Sequence, residues 1–221
     1  MPTEPADAAE LLARARALGG RTVGEVAREL GVALPPDPRR AKGFVGKLAE
    51  HALGAGHAGD GPDFAGLGVE LKTLPIADGR VAESTFVCSA PLSYAEDLEW
   101  EASRVRRKLS RVLFLAVARD RPPRFGAAFL WTPSPAQEAV LRADWEELTG
   151  LIGAGDVEAI DARRGRWLQL RPKGANAAAR AKAHDGDGAP FWAPRRAFYL
   201  RRAFTAELLL EQGFVTREAS A

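Results

Sequence analysis

The sequence predicts a mixed α/β fold, because segments with the apolar spacing of helices alternate with segments typical of strands. The chain has 221 residues and is 46% hydrophobic, which is enough for a sizeable core in one large domain or two small lobes. Residues 111–118, RVLFLAVA, form a nearly continuous apolar run that is typical of a central strand. Several connections between the predicted strands have the length of hairpins, which also indicates a mixed fold.

The N-terminal part is predicted to be helical. Residues 6–18 carry apolar side chains at helical spacing and are followed by two glycines, which end a helix. A second helix begins at Thr22, where Glu25 stands at the position of a capping box. Prolines mark residues 34–40 as a linker or turn, and a third helix is predicted over about 41–53.

The rest of the chain is predicted to alternate between strands and helices. Apolar alternation or continuous apolar runs indicate strands at 68–74, 84–92, 111–118, 127–131, 166–171 and 197–201. Helical spacing indicates helices at 97–109, 135–153 and 205–212. A loop containing Asp78 and Gly79 is expected to join the first two strands. The Ala/Gly/Asp-rich stretch between Lys173 and Pro190 is expected to be a mobile loop.

Composition narrows the cellular setting. The sequence has no run of 18 apolar residues, so no membrane span is expected. The first residues, MPTEPADAAELL, lack the basic start and apolar centre of a secretory signal. Cys88 is the only cysteine, which excludes an internal disulfide and a cysteine-based zinc site. These features predict a cytoplasmic protein, and its tryptophans are expected to lie in the core.

Positive charge is concentrated in the C-terminal part. Residues 161–221 contain 12 Lys and Arg against 6 Asp and Glu, although the net charge of the chain is only +2. This distribution favours an anionic partner, with chance clustering on a solvated surface as the alternative. Arg171 and Lys173 suit DNA recognition, because arginine pairs bidentately with guanine and lysine binds phosphate or guanine. A second basic cluster is formed by Arg104, Arg106, Arg107, Lys108 and Arg111.

The segment 62–72, PDFAGLGVELK, carries the candidate chemistry. Side chains alternate across a strand, so Glu70 and Lys72 are expected on one face. Two glycines before them allow a tight bend that would bring Asp63 back beside Glu70. Two carboxylates and a lysine on one patch fit phosphodiester hydrolysis with Mg²⁺, which is usually held by one or two carboxylates, water and substrate phosphate.

Glu-x-Lys by itself is a weak motif. In a chain with 17 Glu and 6 Lys, about half an occurrence of this motif is expected by chance. An ordinary Glu–Lys pair on a solvated strand face is therefore the open alternative. Glu50, on the third predicted helix, is either a third carboxylate of the cluster or an exposed helical glutamate.

Longer motifs resemble the MutH family of strand-nicking endonucleases of methyl-directed mismatch repair. From about residue 8 to residue 215 the matching segments follow the family's order: KGFVGKLAEHALGA, PDFAGLGVELKTLP, STFVCSAPL, WEASRVRRKLSRVL, WEEL, LQLRPKGANA and FYLRRAFT. The resemblance implies a restriction-endonuclease-like fold, a mixed β-sheet flanked by helices with two lobes around a DNA-binding cleft. It implies a catalytic lobe of about 1–110 and a DNA-reading lobe of about 111–221 in one endonuclease domain.

The resemblance also implies roles for individual residues. Asp63, Glu70 and Lys72 match a catalytic triad of the D…E-x-K type, in which Asp63 and Glu70 are the Mg²⁺ ligands. Glu50 matches a further active-site acid, and Lys108 a basic residue near the site. DNA contact is implied for four residues, the last of which is tied to sensing adenine methylation: Lys42, Arg171, Lys173 and Tyr199.

The implied function is a Mg²⁺-dependent endonuclease that nicks the unmethylated strand at GATC sites in hemimethylated or unmethylated double-stranded DNA. MutL is the implied activator, with MutS upstream at the mismatch, and the protein is expected to be a monomer. Two alternatives stay open. One is a type II restriction endonuclease of the same fold that cuts both strands, and the other is a non-catalytic DNA-binding protein whose carboxylates are structural.

Overall fold

A computed structural model describes residues 2–36, 43–56, 59, 61–93, 99–157, 160–161, 163–173 and 180–214. Its helices are α1 (Ala8–Ala17), α2 (Val23–Glu29), α3 (Phe44–Leu53), α4 (Arg104–Leu109), α5 (Pro135–Gly153) and α6 (Arg202–Glu211). Its strands are β1 (Glu70–Ala77), β2 (Arg80–Val81), β3 (Thr85–Ser89), β4 (Val112–Ala118), β5 (Arg124–Trp131), β6 (Leu168–Pro172), β7 (Arg180–His184), β8 (Pro190–Pro194) and β9 (Arg196–Leu200). Helices and strands alternate and the largest sheet contains parallel and antiparallel pairs, which confirms the mixed α/β class.

The chain forms two compact units whose segments interleave. The first contains Met1–Glu83, Ser110–Thr132 and Ala206–Ala221, and the second contains Ser84–Leu109 and Pro133–Thr205. These units do not follow the predicted division near residue 110. The reason is that β4 pairs in parallel with β1 and antiparallel with β5, which brings a later segment into the first unit.

The first unit is built on a sheet of order β2-β1-β4-β5. Its interior strand β4 is buried from Val112 to Val117, which confirms the central strand predicted from the apolar run. Apolar side chains of α1, α2 and α3 pack with those of β1, β4 and β5 in one hydrophobic core. Burial of these apolar faces is the main term that holds helices of only seven to ten residues against the sheet.

The helix beginnings follow the local sequence signals. At α2 the Thr22 side chain accepts the Glu25 N–H while the Glu25 carboxylate accepts the Thr22 N–H, which confirms the predicted capping box. The third helix begins at Phe44, after Gly43 in the left-handed region at φ 84°. Its predicted first residues, 41 and 42, lie outside the described part of the chain.

The turn at Asp78 and Gly79 has a different role from the one predicted. Both residues have positive φ, 51° and 70°, which is the conformation of a tight two-residue hairpin turn. The turn leads into the short β2, which pairs with the end of β1. It does not pair β1 with the next predicted strand, because β3 pairs with β9 in a separate sheet.

The second unit contains the antiparallel sheet β3-β9-β6 and the two-stranded ribbon β7-β8. The helix predicted over 97–109 is wrong in part, since residues 94–98 are not described and Trp100–Ala102 form a separate 3₁₀ helix. Ser103 is extended between this turn and α4, and its hydroxyl accepts the N–H of Arg106 at 3.0 Å. A serine that caps a helix therefore divides what looked like one helical segment.

The predicted mobile loop is wrong for residues 180–184, which form β7, whereas residues 174–179 are outside the described structure. Ala181 and Ala183 pair with Ala193 and Phe191 across the ribbon. Alanine has little strand preference, so this strand depends on its partner and carries no local signal. No helix in the described part of the chain is both long and apolar enough to cross a membrane.

Candidate active site

A tight bend holds the Asp63 carboxylate at the beginning of β1. Phe64 and Val69 exchange backbone hydrogen bonds of 2.9 and 3.2 Å around a single 3₁₀ turn, and Gly68 has a φ of 63°. The Oδ2 atom of Asp63 accepts the N–H of Leu71 at 2.9 Å. This is the bend that the glycines predict, and it places Asp63 next to the first residues of the strand.

Glu70 and Lys72 form a buried ion pair on one side of β1. The Lys72 Nζ lies 2.6 Å from the Glu70 Oε1, and the two side chains are only 11% and 3% exposed. The alternative of a Glu–Lys pair on a solvated strand face does not fit this burial. Because a buried charge is costly unless it is paired and hydrogen-bonded, each of these side chains depends on the other.

Glu50 lies on α3, on the side of this helix that approaches β1. A Cβ atom added at Gly46, one helical turn earlier, would lie 4.0 Å from the Thr73 Oγ1, so this face of α3 approaches β1. Burial, followed by the negative charges of Asp63 and Glu70, raises the pKa of Glu50. Lys72 and Lys47 lower the pKa by smaller amounts. Asp63, Glu70 and Lys72 lie together at the beginning of β1, and Glu50 on α3 is affected by their charges. We call these four residues the carboxylate–lysine cluster.

The raised pKa of Glu50 makes its charge unfavourable to folding at neutral pH. A carboxyl whose pKa is higher in the folded than in the unfolded state binds its proton more tightly when folded, so stability is lost as pH rises through that pKa. The substitution Glu50→Gln is expected to raise the melting temperature at pH 7 to 8 by a few degrees, since roughly 2–4 °C corresponds to about 1 kcal/mol in chains of this size.

The gain should fall away as pH drops below the ordinary glutamate value of 4.5, where both states of the unaltered protein are protonated at this position. Melting curves of the two proteins across this pH range measure the effect. A gain that is equal at pH 4 and pH 8 would show that the glutamine acts by some route other than removing charge.

The residues present fit Mg²⁺ in type and number. Mg²⁺ prefers oxygen ligands and takes one or two protein carboxylates, with water and phosphate completing its coordination. Asp63 and Glu70 provide two carboxylates at the beginning of one strand. Within the described residues, no group of three or more His, Cys, Asp or Glu side chains is positioned to hold a metal.

Basic and aromatic side chains meet on the sheet of the second unit. The Arg171 guanidinium lies 5.8 Å from the centre of the Tyr199 ring, and the Lys173 Nζ lies 5.6 Å from the centre of the Phe86 ring. The two rings contact edge to face at 5.5 Å. We call this set Phe86, Arg171, Lys173 and Tyr199 the aromatic–basic face.

Phe86 is not among the residues predicted to contact DNA, because the sequence indicates only a strand over 84–92. It is 40% exposed between the buried Thr85 and Val87, so strict alternation along β3 could have revealed it. Polar side chains hold the basic residues in place. The Ser84 hydroxyl accepts from the Gln169 Nε2 at 2.8 Å and from Arg171 at 3.4 Å, and the Ser89 hydroxyl accepts from the Lys173 ammonium.

Asp144 holds the segment that leads into this face, a role that no local pattern predicts. Its side chain lies on α5 and is 6% exposed. The Oδ1 atom accepts the N–H of Arg166 at 2.7 Å, and Oδ2 accepts those of Trp167 and Leu168 at 2.7 and 2.8 Å. Three successive backbone groups at the beginning of β6 are thus fixed by one carboxylate.

The same turn is held from its other side. Arg201 donates to the carbonyl oxygen of Gly165 at 3.0 Å and to that of Arg164 at 2.7 Å. Gly165 adopts φ 73°, and a Cβ atom there would collide with the Leu168 carbonyl oxygen. The exposed Glu147 carboxylate accepts the Gly165 N–H at 3.2 Å, which adds a second acidic partner.

Two of the predicted residues are not brought into either group by the described structure. Lys108 is partly buried on α4 in the second unit, whereas the carboxylate–lysine cluster belongs to the first, so its catalytic role stays a prediction. Lys42 lies outside the described residues. In the basic cluster near Lys108, Arg106 forms a 2.8 Å ion pair with Glu138. Hydrogen bonds from Arg106 and Trp100 lower the pKa of Glu138, and its negative charge partly neutralises Arg106.

Comparison with known proteins agrees with the resemblance seen in the motifs. A family model described as "DNA mismatch repair enzyme MutH" matches residues 57–144, the range that contains the bend and β1. The "DNA mismatch repair protein MutH" of Yersinia enterocolitica serotype O:8 / biotype 1B is 48% identical over 216 residues, 94% of each chain. The protein of the same description from Salmonella paratyphi B is 49% identical over 94% of this chain and 93% of its own length.

Identity at this level over nearly the whole of both chains defines the class, that of DNA mismatch repair proteins. The chain belongs to the MutH family.

Proposed function

We propose that the protein is an endonuclease that nicks the unmethylated strand of DNA at GATC sites in methyl-directed mismatch repair. The observation that carries the proposal is the convergence of Asp63, Glu70, Glu50 and a buried Lys72 at the beginning of β1, in a chain of the MutH family. The proposal includes a restriction-endonuclease-like fold, with two lobes around a DNA-binding cleft.

Asp63 and Glu70 would hold Mg²⁺, which when bound supplies positive charge to the scissile phosphate and acidifies water. The Lys72 ammonium, held by Glu70, is placed to stabilise the negative charge that develops on the phosphate oxygens. The raised pKa of Glu50 makes its carboxylate a stronger base than that of an ordinary glutamate. Glu50 is therefore suited to accept a proton from the attacking water. Burial of the cluster strengthens each of these electrostatic interactions.

The aromatic–basic face would contact the recognition site. Arg171 and Lys173 offer donors for guanine edges and phosphates, which the major groove presents in a sequence-dependent pattern. Tyr199 would contact the adenine of the site, where an N6-methyl group adds apolar bulk and removes one N–H donor. Phe86 packs edge to face against Tyr199 and limits how far that ring can move away from the added methyl group.

Activation by MutL, with MutS acting upstream at the mismatch, belongs to the same proposal. It rests on membership of a family whose relatives are described as DNA mismatch repair proteins. A monomeric, cytoplasmic protein is proposed with it. Lys42 and Lys108 are proposed as a DNA contact and as a basic residue near the active site.

Nicking of a supercoiled plasmid with one GATC site tests the function. In Mg²⁺ we expect the unmethylated strand of hemimethylated plasmid to be nicked, with a higher rate when MutL is added. Fully methylated plasmid should be resistant, and EDTA should stop the reaction. The Tyr199→Ser variant should narrow the difference between methylated and unmethylated sites.

Two results would contradict the proposal. Rapid double-strand cleavage without MutL would indicate a restriction endonuclease instead. Duplex binding without any nicking, with or without MutL, would indicate a DNA-binding protein whose carboxylates are structural.

A further inference from the structure

The ribbon β7-β8 has two different faces. Directly paired residues of an antiparallel ribbon lie on the same side. Ala183 and Ala193 are buried on one side, whereas the pair of Lys182 and Trp192 lies on the other and is exposed. Arg180 follows Lys182 on the exposed side, because side chains alternate along a strand. One side thus packs inward and the other carries two cations and an indole.

Trp192 has the most exposed large apolar side chain in the described residues, at 69%. The prediction that the tryptophans lie in the core is confirmed for Trp100, Trp131 and Trp145, which are at most 7% exposed, and is wrong for Trp192. An exposed indole beside a cation is typical of a binding surface, because it combines a broad apolar face with an N–H donor.

Backbone and side-chain contacts fix the ribbon at both ends. At its open end the Lys173 N–H donates to the Arg195 carbonyl oxygen at 2.8 Å, and the Arg195 Nε donates to the Arg180 carbonyl oxygen at 3.2 Å. At its turn, a Cβ atom on Gly155 would lie 2.7 Å from the Asp185 Cα, so the turn packs closely against the residues that follow α5. A surface held at both ends loses little entropy on binding.

The same backbone contact joins the open end of the ribbon to Lys173, a residue of the aromatic–basic face. Lys182 is two residues along β7 from Arg180, a distance of about 7 Å at the usual rise of a strand. The acidic side chain nearest this row in sequence, Asp185, is turned toward the hairpin backbone, where it accepts the N–H groups of Asp187 and Ala189. Neither β7 nor β8 contains an acidic residue, so the exposed side carries two cations and no carboxylate of its own strands.

We propose that Arg180, Lys182 and Trp192 form a second DNA-contacting surface, which binds the sugar–phosphate backbone of duplex DNA flanking the recognition site. The surface rests on the proposed function, since it extends the contact made by Lys173. Two neighbouring cations suit two successive phosphates of one strand, and the indole suits the sugar edge beside them. A two-stranded ribbon is narrow enough to follow a groove of the duplex.

The surface is tested by measuring how tightly the protein binds a labelled GATC duplex of about 30 base pairs. Fluorescence anisotropy in EDTA gives the affinity at each of a range of salt concentrations. Replacing Arg180 and Lys182 together by alanine should weaken binding on the order of tenfold at low salt. It should also lower the slope of log affinity against log salt by about 1.8, because each lost phosphate contact removes about 0.9. Trp192→Ala should weaken binding several-fold and leave the slope unchanged, because it removes no charge.

The matched control is the double variant Arg119→Ala/Arg142→Ala. It also loses two arginine charges, but each of these is paired with a surface carboxylate, Glu83 for Arg119 and both Glu101 and Glu146 for Arg142. Its affinity and slope should stay near those of the unaltered protein. Melting curves show whether each variant is folded, and all four altered side chains are at least about half exposed or lie on exposed strand positions.

A duplex trimmed to the recognition site and its nearest neighbours gives an independent measurement. On it, the Arg180→Ala/Lys182→Ala variant and the unaltered protein should bind equally, because the flanking phosphates are missing. Equal affinity and equal slope for the ribbon variant and the control on the long duplex would overturn the proposed surface. If the unaltered protein neither binds nor nicks GATC duplexes, the proposed function itself is refuted, so the two failures are distinguishable.

Discussion

Replacing Lys72 with methionine, or Glu70 with glutamine, is expected to lower the rate of nicking by at least about 10²–10³-fold while duplex binding is retained. The Lys72 ammonium is proposed to stabilise charge on the scissile phosphate. Glu70 is both the ion-pair partner of Lys72, at 2.6 Å, and a proposed Mg²⁺ ligand. Neither substitution removes a cation of the aromatic–basic face. Plasmid nicking in Mg²⁺ and duplex binding in EDTA measure the two properties separately.

The same variants should also differ in their free energy of unfolding, and this difference should not follow their loss of activity. Lys72→Met removes the ammonium from beside a carboxylate that is 3% exposed, which is expected to cost up to about 3–5 kcal/mol. Glu70→Gln/Lys72→Met places two neutral groups in the same space and should recover most of that loss, although it stays inactive. Denaturant titration of the single and double variants measures the coupling between the two side chains.

The ion pair of Arg119 and Glu83 provides the control within the same unit. Its length is 2.8 Å, but its side chains are 50% and 54% exposed. Arg119→Met and Glu83→Gln should each change the free energy of unfolding by less than about 1 kcal/mol and leave nicking unaffected. Nicking by Lys72→Met within a few-fold of the unaltered rate would remove Lys72 from the mechanism.

The second large effect is expected at Asp144. Asp144→Ala removes the acceptor of three backbone N–H groups, of which that of Leu168 is buried. A buried donor left without an acceptor costs about 1–3 kcal/mol, so the free energy of unfolding should fall by roughly 3–5 kcal/mol. In a chain of this size that loss lowers the melting temperature by about 10 °C. Thermal and denaturant unfolding measure it directly.

Two variants show whether the loss comes from these hydrogen bonds. Asp144→Asn should fall between the unaltered protein and the alanine variant, because an amide has one acceptor oxygen and its NH₂ group would face a backbone N–H. Glu147→Ala removes a neighbouring exposed carboxylate that accepts from the same turn at 3.2 Å, and should cost less than about 1 kcal/mol. Equal losses for Asp144→Ala and Glu147→Ala would argue against this account of Asp144.

The elements predicted well from the sequence are those with a strong local signal. The capping box of Thr22 and Glu25 identifies the beginning of α2, and the apolar run of β4 identifies a strand buried on both faces. The strand β7 has no such signal, because alanine, lysine and histidine do not favour a strand in isolation. Pairing with β8 decides its structure, and pairing is not visible along one segment of chain.

For the candidate site, the set of available side chains follows directly from the sequence. The shared strand face of Glu70 and Lys72 follows from the sequence as well, because side chains alternate with a period of two. Glycines in the bend allow the return of Asp63, and the long motifs indicate the family. These are local properties, fixed by backbone geometry and residue type.

Tertiary packing is responsible for the burial of the Glu70–Lys72 pair, for the shared electrostatic environment of Glu50, and for the contact of Asp144 with the beginning of β6. The exposure of Trp192 beside Lys182 is likewise a result of packing. Burial and charge–charge interaction depend on which segments pack together, and the segments concerned are up to 24 residues apart in the case of Asp144. Contacts between distant segments are set by the packing of the whole unit, so no single segment of the sequence contains them.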